Sequence, residues 1–384
     1  MKKLVKILIV FAVVAIAYLS LPYHVQMGLK HNFADVDDYK LFKSNVIHKS
    51  THPEEWKISE TYNKNKPSNE LLNFFDERKT CAFLVIKNNK IVYERYAEDY
   101  NKETISGSFS MAKTVNALLI GKMIELGKIH SLEDDVKKYV PELTQIPSGK
   151  LTIKDVITMS ADIDWDESYW NIFSLTAESY YGNDLDALMG KLKLRPDNQQ
   201  GKLFEYQSCC TQILGYIIKN VSGKSLAECA NEYLWTPLGA ESDALWSTDK
   251  KGMEKSFCCI NATARDFARL GQMVLQHGRW DSTQVIDAAY ITQMTTPASY
   301  LKDERGNTCD WYGYQTWIIN YKNESIPYFR GILGQFIFVL PKENAVIVRL
   351  GKKIKKDSED PHYQNNDIRN YIEAGLQVLN SKLN

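Results

Sequence analysis

The strongest constraint on the fold is how far apart its strand-like segments lie. "CAFLVIKNNKIVYERYAE" at 81–98 carries two apolar runs around Asn88-Asn89, and "GQFIFVLPKENAVIVRLG" at 334–351 carries two more joined at Pro341 to Asn344. Runs rich in Val, Ile and Phe, split by turn residues, predict β-hairpins. The chain between them reads as mainly helical. "VNALLIGKMIEL" has apolar residues at helical spacing and stops at Gly127, and "LTIKDVITMSADI" predicts a short helix behind a Thr152 cap. A further helix is expected from about Cys210 to Val221, an amphipathic one within "NATARDFARLGQMVLQHGRW" ending at Gly278, and a last one over "NNDIRNYIEAGLQVLN". Residues 165–200, rich in Trp, Tyr, Asp and Asn, look like an insertion or lid. Strands at both ends with helices between predict an α+β fold: an antiparallel sheet built from both ends of the domain and flanked by helices.

The N-terminus stands apart. Lys2, Lys3 and Lys6 precede an uncharged apolar run from Ile7 to Leu21, and no charged residue returns before Lys30. Charge followed by hydrophobe fits a secretory signal with "AIA" at 15–17 as cleavage site, and equally an uncleaved membrane anchor. Either way the lysines hold the N-terminus in the cytoplasm and send the rest out, to the cell envelope or beyond. Residues 1–29 are therefore expected to be signal or anchor, 30–69 a linker or N-terminal arm, and 70–384 the folded domain. Lys plus Arg and Asp plus Glu both number 47, so the balance is neutral and no nucleic-acid surface is expected. Seven cysteines leave at least one unpaired within a single chain. They form no CxxC and have no His at zinc spacing, so no metal site is expected, and their pairing is not readable.

Several motifs are decoys. Gly223-Lys224-Ser225 mimics the end of a phosphate loop without its other glycine, and HExxH, GxSxG and GxGxxG do not occur. Ser-x-x-Lys occurs three times, at Ser110/Lys113, Ser247/Lys250 and Ser299/Lys302. Only Ser110 opens a long apolar helix. Positions i and i+3 share a helix face, so Lys113 can reach the Ser110 oxygen, and a helix start offers unpaired N–H groups to developing negative charge. A capping serine with a solvated lysine would look the same in sequence. "FEYQS" places Tyr206 and Ser208 before a helix, where a tyrosine acid/base and a hydroxyl partner could face one side, or Tyr206 could simply edge the core. "RGILGQFIFVLP" puts Gly334 directly before a strand, as an ordinary turn or as a close approach of backbone to ligand.

Taken together, these segments resemble the serine β-lactamase-related family of penicillin-recognising hydrolases. That family includes class C β-lactamases, D-alanyl-D-alanine peptidases, esterases and 6-aminohexanoate-dimer hydrolases. The resemblance runs from about residue 70 to the end: "SFSMAKTVNALLIGKMIELGKIHSLEDDVKKYVPEL" resembles the nucleophile helix, "FEYQSCCTQILGYII" the tyrosine motif and "GILGQFIFVLP" the third motif. It implies a β-lactamase/transpeptidase-like fold with a mainly helical subdomain, and no cofactor. It also implies roles: Ser110 as acylated nucleophile, Lys113 as its proton acceptor, Tyr206 as proton shuttle to the leaving group, and Ser208 as accessory hydroxyl. At Gly334-Gln335, the Gln335 N–H would join that of Ser110 as oxyanion hole. Two departures bear on substrate. Ser208 stands where β-lactamases carry Asn, and Ile332-Leu333-Gly334 offers no cation for a substrate carboxylate, although Arg330 is close in sequence. Both resemble the amidase and esterase branch. The expectation is an exported serine hydrolase of a small-molecule or peptide-like ester or amide. The alternatives are a D-Ala-D-Ala peptidase, transpeptidase or β-lactamase, and a non-catalytic relative that binds cell wall or protein.

Overall fold

The computed structural model describes residues 2–197, 199–355, 364 and 366–380. Its main sheet has seven strands, in spatial order Trp317–Tyr321, Glu324–Gly331, Gln335–Leu340, Ala345–Gly351, Thr80–Lys87, Lys90–Tyr96 and Lys57–Ile58. Ala345–Gly351 lies antiparallel to Thr80–Lys87, so the two ends of the domain meet at the middle of the sheet. The sheet is mixed where a purely antiparallel one is expected, because Lys57–Ile58 joins its edge parallel to the neighbouring strand. At the first hairpin Asn88 has φ 50° and Asn89 φ 59°. Two successive positive φ angles are what a tight turn between right-twisted strands requires, and Asn tolerates them better than most residues. A second sheet runs Ser44–Ile47, Ala244–Ser247, Ile260–Thr263, Ile105–Gly107.

The helix Met111–Glu125 is buried on almost all sides over its first three turns. A helix surrounded by protein needs apolar residues around its whole circumference, which accounts for the unbroken character of "VNALLIGKM". One buried polar residue ties it to its neighbours. The Gln315 carbonyl accepts from Thr114, its side-chain oxygen accepts from Thr211, and its amide donates to the Val156 and Ile157 carbonyls. Three helices are thereby tied to one residue, two through its side chain and one through its carbonyl.

Thr152 caps Ile153–Ile157 through a reciprocal capping box with Asp155. The tyrosine-motif helix spans Ser208–Ser222, two residues earlier than expected. Gln207 supplies no side-chain cap; instead the Glu167 carboxylate accepts the Ser208 N–H at 2.7 Å, a cap brought from a distant segment. The phosphate-loop mimic resolves as a left-handed helix stop at Gly223 and a capping box at Ser225. The last helix is Asn366–Asn380, and Asn365 lies outside the described residues.

Residues of the 30–69 arm pack against the domain: Val36 and Ile47 are fully buried, and Ser44–Ile47 pairs with Ala244–Ser247. In front of the arm, the exposed helix Lys2–Leu19 is followed by Tyr23–His31 across a 115° bend. Among the described residues no single helix is long and apolar enough to cross a membrane, although this bent pair meets the test by length and composition.

Candidate active site

The site forms where the N-terminus of Met111–Glu125, the turn before Ser208–Ser222 and the loop around Phe257 converge. Ser110 sits at the cap position of its helix, but its side chain makes no capping hydrogen bond. Phe109, immediately before it, has φ 44°, a left-handed conformation that bulky residues rarely adopt and that structures retain mostly at functional sites. Lys113 is 2% exposed, so it is not a solvated helix residue. Its Nζ lies 3.3 Å from Ser110 Oγ, 3.1 Å from Ser208 Oγ and 2.8 Å from the Phe257 carbonyl oxygen. The Tyr206 ring centroid is 5.2 Å from the same nitrogen. Ser110, Lys113, Tyr206 and Ser208 therefore come together around one amine. The other Ser-x-x-Lys pairs end in exposed lysines, and Lys302 is bonded to Thr308.

Burial governs the electrostatics. Loss of water pushes the Lys113 ammonium down to about 8, against the Glu167 carboxylate and the Cys210 and Cys209 thiols, which favour the charged form. More of the amine is then neutral near pH 7 than in an ordinary lysine, which is almost wholly charged there. Burial also holds the Tyr206 phenol well above its ordinary range. The Ser110 hydroxyl and the Arg330 charge work against that rise, and Glu167 adds to it. Tyr206 thus keeps its proton while Lys113 can give its own up. One neutral base and one protonated acid side by side are what proton transfer from nucleophile to leaving group needs.

The third motif reaches the site through its backbone. A Cβ added at Gly331 would stand 2.2 Å from the Ser108 carbonyl oxygen, so only glycine lets this strand end lie against the segment leading to Ser110. Gly334 approaches Arg349 instead: its Cβ would meet Nη1 at 2.2 Å. The same Nη1 donates to the Leu333 and Gly334 carbonyls at 2.7 and 2.6 Å, pinning the turn from below. Gln335 is fully buried, and its side chain bonds both backbone groups of Gly351, at 2.6 and 3.0 Å. Arg330 stacks its guanidinium on Trp317 at 4.8 Å, and Trp317 packs 5.5 Å from the Tyr206 ring.

Sequence reasoning missed two contributors. The Phe257 carbonyl that holds Lys113 sits directly before a disulfide between adjacent Cys258 and Cys259, and the other five cysteines are free and buried. A backbone acceptor leaves no mark in residue identity, although the Cys-Cys pair beside it was visible. Glu167 bonds Ser208 from within the segment taken for a lid, and no spacing rule connects the two.

Comparison with known proteins bears on the fold and the family. The sequence profile described as Beta-lactamase matches residues 72–367. The 6-aminohexanoate-dimer hydrolase of Paenarthrobacter ureafaciens is 27% identical over 302 residues, covering 75% of this chain and 76% of that protein. Among solved structures, a Bacillus anthracis protein provisionally assigned as a 6-aminohexanoate-dimer hydrolase superposes with TM-score 0.72 at 23% identity, over 88% of this chain and 92% of its own. A family VIII carboxylesterase superposes with TM-score 0.63 at 18% identity, over 84% and 99%. These structures share the α+β β-lactamase/transpeptidase-like fold, and with the profile covering most of its length, the chain belongs to the beta-lactamase family of serine hydrolases.

Proposed function

We propose that this chain hydrolyses a small ester or amide through an acyl-enzyme on Ser110. One observation carries the reading: a buried Lys113 amine, depressed to about 8, lies 3.3 Å from a serine oxygen that caps nothing. Neutral Lys113 takes the Ser110 proton as Oγ attacks the carbonyl. The backbone N–H groups of Ser110 and Gln335 receive the oxyanion, and such donors are each worth about 3–4 kcal/mol. Tyr206 protonates the departing amine or alcohol and regains its proton from Lys113; a water that gives its own proton to Lys113 then attacks the acyl-enzyme, and that proton returns to Ser110 as the acid leaves. The Gln335 side chain, engaged with Gly351, steadies the backbone rather than meeting substrate.

An amide or ester is favoured over a β-lactam because Ile332 and Leu333 present no cation where a carboxylate would dock. The relative named a 6-aminohexanoate-dimer hydrolase and the carboxylesterase of like fold support this reading. The apolar N-terminus supports action outside the cytoplasm, tethered or released. Purified residues 22–384, which keep the docked helix Tyr23–His31, treated with a fluorophosphonate should gain one adduct on Ser110, and should cleave short esters and uncharged amides faster than β-lactams. An unmodified serine, with no turnover of any of the three classes, would leave a binding protein as the better account.

A further inference from the structure

Lys113 has three close oxygen neighbours, but a neutral amine carries only two N–H groups and one lone pair. Which neighbour meets the lone pair decides whether Lys113 can act as base toward Ser110. The Phe257 carbonyl can only accept, so it takes one N–H at 2.8 Å. The Ser208 hydroxyl has one proton and could serve either way. Were it to donate to Lys113, the lone pair would be spent there. The remaining N–H would then point at Ser110, with the wrong polarity for removing its proton.

Glu167 removes that freedom. Its Oε1 accepts from the Ser208 hydroxyl at 2.6 Å and from the Tyr169 hydroxyl at 2.7 Å. Its Oε2 accepts from the Ser208 N–H at 2.7 Å and from the Trp165 indole at 2.6 Å. All four partners are used as donors, which suits a group whose two oxygens both accept. The Ser208 proton therefore lies on the short bond to Glu167, and toward Lys113 the Ser208 oxygen can only accept.

We propose that Glu167 is a positioning residue that fixes the direction of the Ser208 hydroxyl and so turns the Lys113 lone pair toward Ser110. The proposal rests on the reading of Lys113 as base and deepens it. Glu167 exerts two effects of opposite sign. Its hydrogen bond organises the base, while its charge favours the protonated, inactive form of Lys113. Losing the carboxylate lowers the maximal rate yet moves the Lys113 titration to lower pH, whereas a merely structural loss would not move the titration that way.

The test compares wild type, Glu167→Gln, Ser208→Ala and the double variant on an uncharged aryl ester across the neutral and alkaline range, with thermal melts to establish folding. Glu167→Gln should lower the plateau kcat about 10- to 100-fold with little change in KM, and shift the alkaline rise to lower pH. Because Glu167 acts through Ser208, adding Glu167→Gln to Ser208→Ala should cost less than about 2-fold more, the non-additivity expected of residues in one hydrogen-bond chain. Losses that multiply, or a rise that stays in place, would overturn the proposal. Should Glu167→Gln not fold, Glu167→Asp keeps the charge but withdraws the oxygen: the plateau should fall without the pH shift, and an unchanged plateau overturns the idea. Fluorophosphonate labelling separates the two levels. A wild type that takes no adduct on Ser110 sinks the hydrolase reading itself, and with it this inference. A labelled wild type with Glu167→Gln labelled at the same rate sinks only the role of Glu167.

Discussion

At the scale of single residues the site depends on one amine being dry. Lys113 is buried beside a carbonyl, two hydroxyls and two aromatic rings, and the proposed role as base rests on that burial. The sign of the pH dependence follows. The charged form cannot accept the Ser110 proton, so kcat/KM should be low in acid and rise through about pH 8, where Lys113 titrates. A rate that falls across that interval would assign the base elsewhere. Lys113→Arg should be nearly inactive, because guanidinium keeps its proton and its planar fork does not fit the place of an amine. Retention of more than about a tenth of the activity would favour a charge-only role. Ser110→Ala should lose about 10³-fold or more while melting close to wild type, since the removed oxygen caps no helix. Near-normal turnover in that variant removes the mechanism. Ser110 and Lys113 were legible in the sequence because both lie on one helix at a spacing that geometry rewards. The Phe257 carbonyl and Glu167 reach the same point across the fold, and such encounters have no sequence period.

At the scale of elements, legibility followed locality in the same way. The Asn88-Asn89 hairpin and the Thr152-capped helix announce themselves through residues in contact along the chain. The start of Ser208–Ser222 did not, since its cap comes from Glu167. The mixed edge of the sheet was equally hidden, because nothing in Lys57–Ile58 declares a parallel neighbour. The third motif shows what an element adds to its residues. Gly331 lets the strand end touch Ser108, so Gly331→Ala should push the two apart and lower both activity and stability, the latter by about 1–3 kcal/mol as overpacking does. Thermal melts and ester turnover check this, and a variant normal in both would show that the contact is slack. The same turn bears on the proposed specificity. A charge-assisted hydrogen bond to a substrate carboxylate is worth about 1.5–3 kcal/mol, and its absence at Ile332 and Leu333 should cost a penicillin roughly 10- to 150-fold in transition-state binding. Short esters should therefore outrun benzylpenicillin and cephalosporins in kcat/KM. If the order is reversed, the Arg330 guanidinium on Trp317 is the cation to blame, and Arg330→Met should then abolish the β-lactam activity while sparing esters.

For the whole molecule, the question is how the catalytic domain is carried. Its sheet closes by pairing the two ends of the domain, Thr80–Lys87 with Ala345–Gly351, so the segment ahead of residue 30 contributes nothing to that closure. The helix Lys2–Leu19 has no buried residue, whereas Tyr23–His31 buries Val25 and Gly28 against the domain. Gly28 faces Ile172, and a Cβ there would stand 3.1 Å from the Ile172 Cγ2. The 115° bend thus separates a docked helix from an undocked one. The uncharged run that begins at Ile7 is costly to leave in water; its helix is not long and apolar enough to cross a bilayer alone, and meets that test only together with the helix beyond the bend. Cleavage after "AIA" at 15–17 would remove most of the exposed helix and leave the docked one in place, and retention would leave it as an anchor. Both routes predict export, and they differ in mass. A C-terminally tagged chain should fractionate with the membrane or outside the cell, and mass analysis of its N-terminus should read either Met1 or Tyr18, the residue after the "AIA" site. Removing residues 1–21 should give a water-soluble protein with wild-type ester turnover, since everything around Ser110 lies beyond the bend. A full-length protein that stays soluble in the cytoplasm with Met1 intact would overturn the export argument and demand a partner to cover the exposed helix.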